Sequence, residues 1–364
     1  MMFSDFSSEL LHGGDLTYAS AVFGEPDEPW QDLSTGISPW GYRAVNIPSD
    51  IWRDLPGSNR PLCEAAAEYY QTQPEFVVPL PGSQFAIGQV PRLLAPATVA
   101  LPAIGYAEHA KAWQQAGHQA VFYGSIAQLH SLVEQGTVHH AVVINPNNPT
   151  AELCPLNTLE FLHSSLPGVV LVDEAFIDAL ALPSAAHLLP HCPRLCVLRS
   201  LGKFFGLAGI RLGFLLSSGE LFGQMQQVLG PWAVSHPAQW MGERALNDKA
   251  WQLAHKLRLR DAQQQLQTIL QGFARERYTI ASGGLFVTLR GSWSTLMTLH
   301  QGLAEQGIYT RWCHWPEPVE SRVAVANKAV SHPSLNTSKP AWLRIGLPED
   351  GGIRIARALN SLED

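Results

Sequence analysis

The organising motif of this chain is Arg199-Ser200-Leu201-Gly202-Lys203-Phe204-Phe205-Gly206-Leu207-Ala208-Gly209-Ile210-Arg211-Leu212-Gly213-Phe214, in which one lysine lies among glycines and apolar residues. An amine with a free pKa of about 10.4 is mostly protonated at neutral pH, but an apolar pocket favours its neutral, nucleophilic form. Residues 195–198 and 210–216 read as buried strands on either side. These flanking strands favour a pocket for Lys203 over a position on a basic surface.

A lysine in such a pocket can form an imine with an aldehyde, and pyridoxal phosphate (PLP) is the aldehyde cofactor that proteins hold in this way. PLP also needs cationic and hydroxyl groups around its phosphate. Ser200 stands three positions before Lys203 and Arg211 eight positions after it, so both groups are at hand. The motif therefore predicts a PLP site.

Composition and charge restrict the class of protein. With 364 residues, 46% of them hydrophobic, the chain can bury a large core and is expected to form two domains. Its net charge of -7 and pI near 6.0 argue against a nucleic-acid partner, which calls for a basic patch. Residues 1–11 lack the regions of a signal peptide, and no apolar run is long enough to span a bilayer. With five scattered cysteines, these features predict a cytoplasmic protein that has no membrane partner.

One cluster has metal-ligand side chains close together in sequence: His187, His191, Cys192 and Cys196. Zinc sites usually show tighter paired spacing, and Pro190 and Pro193 prevent a helix from aligning these groups. We interpret them as loop and packing residues and expect no metal site.

Strands and helices alternate between residues 76 and 198, and nearly all of the strand residues are apolar. This pattern predicts an α/β protein with a mainly parallel sheet covered on both faces. Later residues form long helices rich in Gln, Leu and Arg and then a smaller mixed region, in which residues 317–338 read as an irregular insert. We predict three parts: an N-terminal arm over residues 1–42, a large domain over 43–235 and a small α+β domain over 236–364.

Polar groups follow the predicted strands at the edge of the sheet where ligands bind in such folds. Gly82, Ser83 and Gln84 form a turn between a strand and a helix, which is a natural seat for a phosphate. Asp173 closes a buried strand, and its carboxylate suits the protonated ring nitrogen of PLP. Asn148 follows another strand and can donate to the ring oxygen.

Two further residues extend the predicted site. Tyr106 is the candidate for an aromatic ring that stacks on the cofactor, and Arg344, in the last strand pattern, could fork onto a substrate anion. Each predicted residue has an ordinary explanation in isolation, as a helix cap, turn, core or surface residue. Their joint occurrence in this order favours the cofactor site.

These motifs resemble those of a known superfamily. The resemblance is carried by Asn145-Pro146-Asn147-Asn148-Pro149-Thr150, by Val172-Asp173-Glu174-Ala175-Phe176, and by Ser200 to Lys203 with Arg211. They are similar to the fold-type I PLP enzymes of the aspartate aminotransferase superfamily, and the match covers nearly the whole chain. The resemblance implies the fold-type I PLP-dependent transferase fold, with a mainly parallel seven-stranded sheet, and a homodimer.

Within this superfamily the chain is most similar to the L-threonine-O-3-phosphate decarboxylases of cobalamin biosynthesis. The similar segments are His12-Gly13-Gly14, Asp32-Leu33-Ser34-Thr35-Gly36-Ile37-Ser38-Pro39, Tyr106-Ala107-Glu108-His109, Asp173-Glu174-Ala175-Phe176-Ile177-Asp178, Leu198-Arg199-Ser200-Leu201-Gly202-Lys203-Phe204 and Pro231-Trp232-Ala233-Val234. The resemblance implies that Lys203 is the imine lysine, Asp173 the partner of the ring nitrogen and Asn148 the donor to the ring oxygen. By the same resemblance, two sets of residues bind the anions: Ser200, Arg211 and the turn Gly82-Ser83-Gln84 for the cofactor phosphate, and His12, Arg311 and Arg344 for the substrate.

The implied reaction is decarboxylation of L-threonine O-3-phosphate to (R)-1-amino-2-propanol phosphate. In PLP chemistry the reacting bond at Cα is the one that stands perpendicular to the ring. Anchoring the substrate phosphate through Arg311, Arg344 and His12 would leave the carboxylate free to rise out of the plane. The expected partners are a phosphorylated amino acid, a second copy of the chain and a later enzyme of the cobalamin pathway.

Histidinol-phosphate aminotransferases share this scheme and are the main alternative. Aminotransferases of the superfamily usually carry Tyr where Phe176 stands, and Phe cannot donate to the ring oxygen, which favours the decarboxylase. Leu55 stands where many relatives have a Tyr that reaches the neighbouring subunit, and Gly36 and Ser38 stand where some have Asn. A second alternative is a PLP-fold regulator without turnover, which the acidic charge and the chain length disfavour.

Overall fold

The computed structural model describes residues 12–43, 46–274, 277–314 and 340–362. The predicted insert at 317–338 lies outside the described residues. The N-terminal arm contains helix α1 (Leu16–Phe23) and strand β1 (Gln31–Asp32). Asp15 caps α1 by accepting a hydrogen bond from the Tyr18 backbone N–H at 2.8 Å, which explains why this polar stretch forms a helix.

The centre of the protein is a mixed seven-stranded sheet. Its strands are β2 (Val77–Leu80), β3 (Thr98–Pro102), β4 (Gln119–Tyr123), β5 (His140–Ile144), β6 (Val170–Asp173), β7 (Leu195–Ser200) and β8 (Gly213–Ser217). The spatial order is β2-β8-β7-β6-β5-β3-β4, in which only β8 runs antiparallel to its neighbours. The inner strands β5 and β6 are buried along their whole length, which explains their continuous apolar runs.

Seven helices accompany this sheet in the described chain: α2 (Ser49–Arg53), α3 (Arg60–Tyr70), α4 (Ser83–Gln89), α5 (Ala107–Gln115), α6 (Ile126–Glu134), α7 (Leu156–Ser165) and α8 (Glu220–Leu229). Two separate apolar clusters cover its two faces, one around Val143 and Val172 and the other around Val142 and Leu171. The alternation of sides along β5 and β6 places every second residue in each cluster.

The C-terminal part contains helices α9 (His236–Asn247), α10 (Lys249–Ala274), α11 (Trp293–Glu305) and α12 (Ile353–Ser361). Its strands are β9 (Thr279–Ser282), β10 (Phe286–Ser292), β11 (Ile308–Tyr309), β12 (Arg311–His314) and β13 (Pro340–Gly346). Four of these form an antiparallel sheet in the order β12-β13-β10-β9, while β11 pairs in parallel with β1 of the arm. Gly242 of α9 lies against Leu62 and Leu212, so α9 packs on the large sheet's helix layer. The domain limits at 42 and 235 stay a prediction.

One predicted strand is shorter than expected. The pattern at 210–216 predicts a strand, but β8 begins at Gly213, and Ala208–Ile210 forms a 3-10 turn. Arg211 adopts a left-handed backbone with φ of 54°, which a strand cannot accommodate. This turn directs the Arg211 guanidinium back toward Gly82.

Candidate active site

Lys203 lies in the loop between β7 and β8, at the carboxyl edge of the large sheet. Its Nζ donates to the carbonyl oxygen of Thr35 at 3.1 Å and stands 5.1 Å from the centre of the Phe176 ring. Burial, together with the positive charges of Arg344 and Arg211, lowers the pKa of the amine to about 8, although the carboxylate of Asp173 acts in the opposite direction. A large share of this amine is therefore neutral near pH 8, as a nucleophilic lysine requires.

Asp173 ends β6 and is 5% exposed. One carboxylate oxygen hydrogen-bonds with His109 Nε2 at 2.9 Å, and the other accepts from the Ala175 backbone N–H at 3.0 Å. His109 is itself 1% exposed, on α5. This histidine was not among the residues predicted to form the site. Its position three residues after Tyr106, on the same helix face, is the signal that could have found it.

A chain of polar contacts joins Tyr106 to the arm. The Tyr106 hydroxyl donates to Gln84 Oε1 at 3.0 Å, and Gln84 Nε2 donates to Glu108 at 3.3 Å. Glu108 Oε1 lies 3.3 Å from Nε2 of His12, which is half exposed. Burial, with the nearby carboxylates of Glu108 and Asp173, raises the pKa of Tyr106 to about 12. The Tyr106 hydroxyl therefore stays protonated, and its hydrogen bond to Gln84 restrains the side chain.

The predicted phosphate seat brings Gly82 and Arg211 into direct contact. A Cβ at Gly82 would lie 2.6 Å from Arg211 Nη2, so only glycine allows the guanidinium this approach. A Cβ at Gly213 would lie 2.5 Å from the backbone nitrogen of Ser83. Ser200, at the end of β7, is the third predicted phosphate-binding residue. Its Oγ accepts a hydrogen bond from the Gly202 backbone N–H at 3.2 Å. Gly82 and Gly213 therefore allow the close approach of backbone and side chain at the ends of β2, β7 and β8.

Arg344, on β13, is 4% exposed and faces the loop that follows β5 of the large sheet. Its Nη1 donates to Asn148 Oδ1 at 2.6 Å, its Nη2 donates to the Ser34 carbonyl oxygen, and its Nε lacks a hydrogen-bond partner among the described residues. Arg311 is its direct cross-strand neighbour on β12. Burial, together with the positive charge of Arg311, lowers the pKa of Arg344 to about 10. Two guanidinium groups side by side favour an anion between them.

The contact with Arg344 also fixes Asn148. Because the Asn148 side-chain oxygen accepts from Arg344, its NH₂ group is the end left to donate. Phe176 is 3% exposed and packs edge-on against Phe286, with ring centres 5.2 Å apart. Gly36 of the arm lies over this ring, since a Cβ there would be 3.0 Å from Phe176 Cε1. All of the predicted site residues are described. They occupy the carboxyl edge of the large sheet and the strands β12 and β13, except His12, which lies in the arm and contacts Glu108.

The histidine and cysteine cluster at 187–196 lies elsewhere. His187 hydrogen-bonds with the Gln71 side chain at 2.9 Å, and Cys192 and Cys196 are buried. Within the described ranges, no group of three His, Cys, Asp or Glu side chains is arranged to hold a metal ion. In the same described ranges, no helix has the length and the apolar character to cross a membrane.

The chain matches one protein family and is similar to several known proteins. The family described as "Aminotransferase class I and II" matches residues 56–345. The threonine-phosphate decarboxylase of Pseudomonas aeruginosa is 38% identical over 344 residues, which is 94% of each chain. That of Sinorhizobium sp is 35% identical over 98% of this chain and 99% of its own. A histidinol-phosphate aminotransferase of Legionella pneumophila is 36% identical over 29% of this chain and 30% of its own.

Solved structures match the fold over nearly the full length. The histidinol-phosphate aminotransferase from Sinorhizobium meliloti, in complex with pyridoxal-5'-phosphate, superposes with a TM-score of 0.74 at 18% identity and covers 99% of both chains. The L-threonine-O-3-phosphate decarboxylase from Porphyromonas gingivalis gives 0.68 at 18% identity, with 91% of this chain and 99% of that one covered. These matches confirm the predicted fold class.

Proposed function

This chain belongs to the class I and II aminotransferase family, and on that premise we propose that it is a PLP-dependent decarboxylase of L-threonine O-3-phosphate. The products are carbon dioxide and (R)-1-amino-2-propanol O-2-phosphate. One observation carries this proposal: two threonine-phosphate decarboxylases are 35% and 38% identical to the chain over nearly all of its length.

The residues present fit the cofactor. Lys203 supplies a buried amine whose pKa is lowered to about 8, and Asp173 supplies a buried carboxylate held by His109. The absence of a Cβ at Gly82 lets the Arg211 guanidinium lie against this turn, where it would pair with the cofactor phosphate. When bound, PLP withdraws electrons from the bonds at the substrate Cα.

Four side chains would hold the cofactor ring. The Asp173 carboxylate would pair with the ring nitrogen, and His109 keeps that carboxylate from turning away. The NH₂ group of Asn148 would donate to the ring oxygen, because Arg344 occupies its other end. Tyr106, held by Gln84, would supply the aromatic contact to the ring.

The cationic residues select the bond that breaks. Arg344, Arg311 and His12 bind the phosphate dianion of the substrate, which is the group with the highest charge. With the phosphate held by these residues, the substrate carboxylate would have no cationic anchor of its own and would be free to leave as carbon dioxide. The binding energy of a remote group thus directs the reaction at Cα. The Lys203 amine, with its pKa near 8, then carries the proton that replaces the carboxylate at Cα.

A histidinol-phosphate-type aminotransferase is the second candidate, because structures of that class share the fold. Purified holoenzyme should release carbon dioxide and an amino alcohol phosphate in equal amounts from L-threonine O-3-phosphate, without an amino acceptor. A 2-oxo acid that forms only when an acceptor is added, with no carbon dioxide, would establish the aminotransferase instead.

We also propose that two copies associate through an apolar surface on the large domain. Three large side chains there are mostly exposed: Trp52 by 66%, Leu55 by 66% and Trp232 by 59%. Aromatic side chains are enriched at protein interfaces, and contiguous exposed apolar patches mark interaction sites. The functional proposal has three further parts: the protein is cytoplasmic, it acts in cobalamin biosynthesis, and it passes its product to a later enzyme of that pathway.

A further inference from the structure

Two carbonyl groups of the Lys203 loop are held by residues that are distant in sequence. The carbonyl oxygen of Lys203 accepts from the Ser38 backbone N–H at 3.1 Å. The next carbonyl oxygen, that of Phe204, lies 3.0 Å from Nε2 of His255, a residue of α10 that is 4% exposed. The same Nε2 lies 3.0 Å from Ser38 Oγ. Ser38 and His255 thus contact each other and two successive peptide units of the loop.

The surroundings of His255 fix its protonation. Burial, together with the positive charge of Arg258, lowers the pKa of the imidazole to about 4, although the hydrogen bond to the Phe204 carbonyl acts in the opposite direction. The ring is therefore neutral at neutral pH and carries one N–H. A carbonyl oxygen can only accept, so this hydrogen stands on Nε2 and is donated to Phe204, with Ser38 Oγ within reach of the same hydrogen.

Aromatic neighbours set the plane of this imidazole. Trp251, one turn earlier on α10, stacks on it with ring centres 4.3 Å apart and an angle of 20° between the planes. The buried ring of Phe204 packs against it at 65°, with centres 5.0 Å apart. These contacts hold the Nε2–H of His255 in one direction, toward the Lys203 loop.

The arm segment that contacts His255 also contacts the tip of the lysine. Thr35, three residues before Ser38, accepts from Lys203 Nζ at 3.1 Å through its carbonyl oxygen. One short segment of the arm therefore holds both the backbone and the amine of Lys203. A histidine that served packing alone would need only the Phe204 carbonyl, whereas the contact with Ser38 connects it to both ends of the lysine.

We infer that His255 is a positioning residue for Lys203: its Nε2–H holds the loop against the arm and thereby directs the amine into the pocket. This inference rests on the imine-forming role of Lys203 in the proposed function. Reacting groups must be held within about 0.5 Å of their productive position, and a displacement of about 1 Å costs roughly 100-fold in rate. Loss of the Nε2–H would let the loop and the arm separate, so that water reaches Nζ.

The first test titrates the Lys203 amine in the apoenzyme, by competitive acetylation with trace acetic anhydride read by mass spectrometry across a pH series. The midpoint should lie near pH 8 in the wild type, because burial, together with two nearby arginines, lowers the pKa of this amine to about 8. His255→Leu removes the N–H but keeps much of the bulk, so the midpoint should rise by about one pH unit or more as the amine becomes hydrated. His255→Gln supplies an amide N–H near the former Nε2 and should restore most of the wild-type value.

Gln252→Leu is the matched control. Gln252 also lies on α10 and is 8% exposed, and its Nε2 donates to the carbonyl oxygens of Ala245 and Leu246 at 2.8 and 2.9 Å. This variant therefore also loses a buried donor to backbone carbonyls, but these carbonyls belong to α9 and not to the Lys203 loop. Both leucine variants should lower the urea midpoint, and only His255→Leu should shift the lysine titration.

The second readout is the rate at which the apoenzyme captures PLP, followed by visible absorbance. His255→Leu should slow this capture by about tenfold or more, and Gln252→Leu should leave it unchanged. If His255→Leu does not fold, Ser38→Ala removes the other end of the contact and should shift the lysine titration in the same direction.

An unchanged midpoint in folded His255→Leu or Ser38→Ala protein would overturn the inference, as would an equal shift in Gln252→Leu. A shift in His255→Gln as large as that in His255→Leu would also overturn it, because the N–H would then not be the group that holds the lysine. The acetylation needs neither cofactor nor substrate, and neither readout depends on the release of carbon dioxide. A failed decarboxylation assay would therefore contradict the proposed function without altering these results.

Discussion

Gly82→Ala should weaken cofactor binding through a single added methyl group. Gly82 has φ 79° and ψ 153°, a region that side chains other than glycine occupy at a cost of about 1–3 kcal/mol. The new Cβ would stand 2.6 Å from Arg211 Nη2 and 3.2 Å from its Cζ, so the guanidinium has to move away from the phosphate seat. Loss of one charge-assisted hydrogen bond corresponds to about 1.5–3 kcal/mol. The dissociation constant of PLP should therefore rise by roughly 10- to 100-fold.

The assay is a titration of the apoenzyme with PLP, followed by visible absorbance, together with urea unfolding of the apoenzyme. Gly88→Ala is the matched control, because Gly88 lies in the same helix α4 and no atom is within 4 Å of its added Cβ. That control should bind PLP normally and gain about 0.5–1 kcal/mol of stability from the helical alanine. If Gly82→Ala and Gly88→Ala bind PLP equally well, Arg211 does not hold the phosphate in the way described.

Three further predictions follow from single contacts. His109→Leu leaves the buried carboxylate of Asp173 without its 2.9 Å partner, so the dissociation constant of PLP should rise about tenfold or more; an unchanged titration would contradict this role. Arg344→Met should raise KM for L-threonine O-3-phosphate by about 100-fold in steady-state assays, and an effect on kcat alone would exclude a binding role. Burial lowers the pKa of His300 to about 4, and the unfolded chain takes up this proton first as pH falls below about 6.5. Stability should thus fall between pH 6.5 and 4 by up to about 3 kcal/mol in urea unfolding, and His300→Gln should flatten that slope.

The edge of the large sheet could be predicted from the sequence because two simple patterns coincide there. Buried parallel strands are continuous apolar runs, and the polar residue that follows each run lies at the edge where ligands bind. Asp173 after β6 and Asn148 after β5 follow this rule, and the structure places both near Lys203 and Arg344. Their roles toward cofactor and substrate stay predictions.

Other features depend on contacts that no local pattern encodes. His109 looks like an ordinary residue of an amphipathic helix, and only the packing of α5 brings it to Asp173. Arg211 lies in a stretch of apolar residues that favours a strand, but its backbone is left-handed and its guanidinium lies against Gly82. The carbonyl oxygen of Thr35 reaches Lys203 across 168 residues of chain. Each of these contacts joins segments that are distant in sequence.

The covalent position of the cofactor tests the central claim most directly. The holoenzyme is treated with borohydride, digested, and its peptides are analysed by mass spectrometry, with Lys203→Ala as the control. The pyridoxyl mass should appear on the peptide that contains Lys203, at about one group per chain, and the Lys203→Ala protein should carry none. A label on another lysine, or equal labelling of the Lys203→Ala protein, would contradict the assignment of Lys203 and the decarboxylase chemistry built on it.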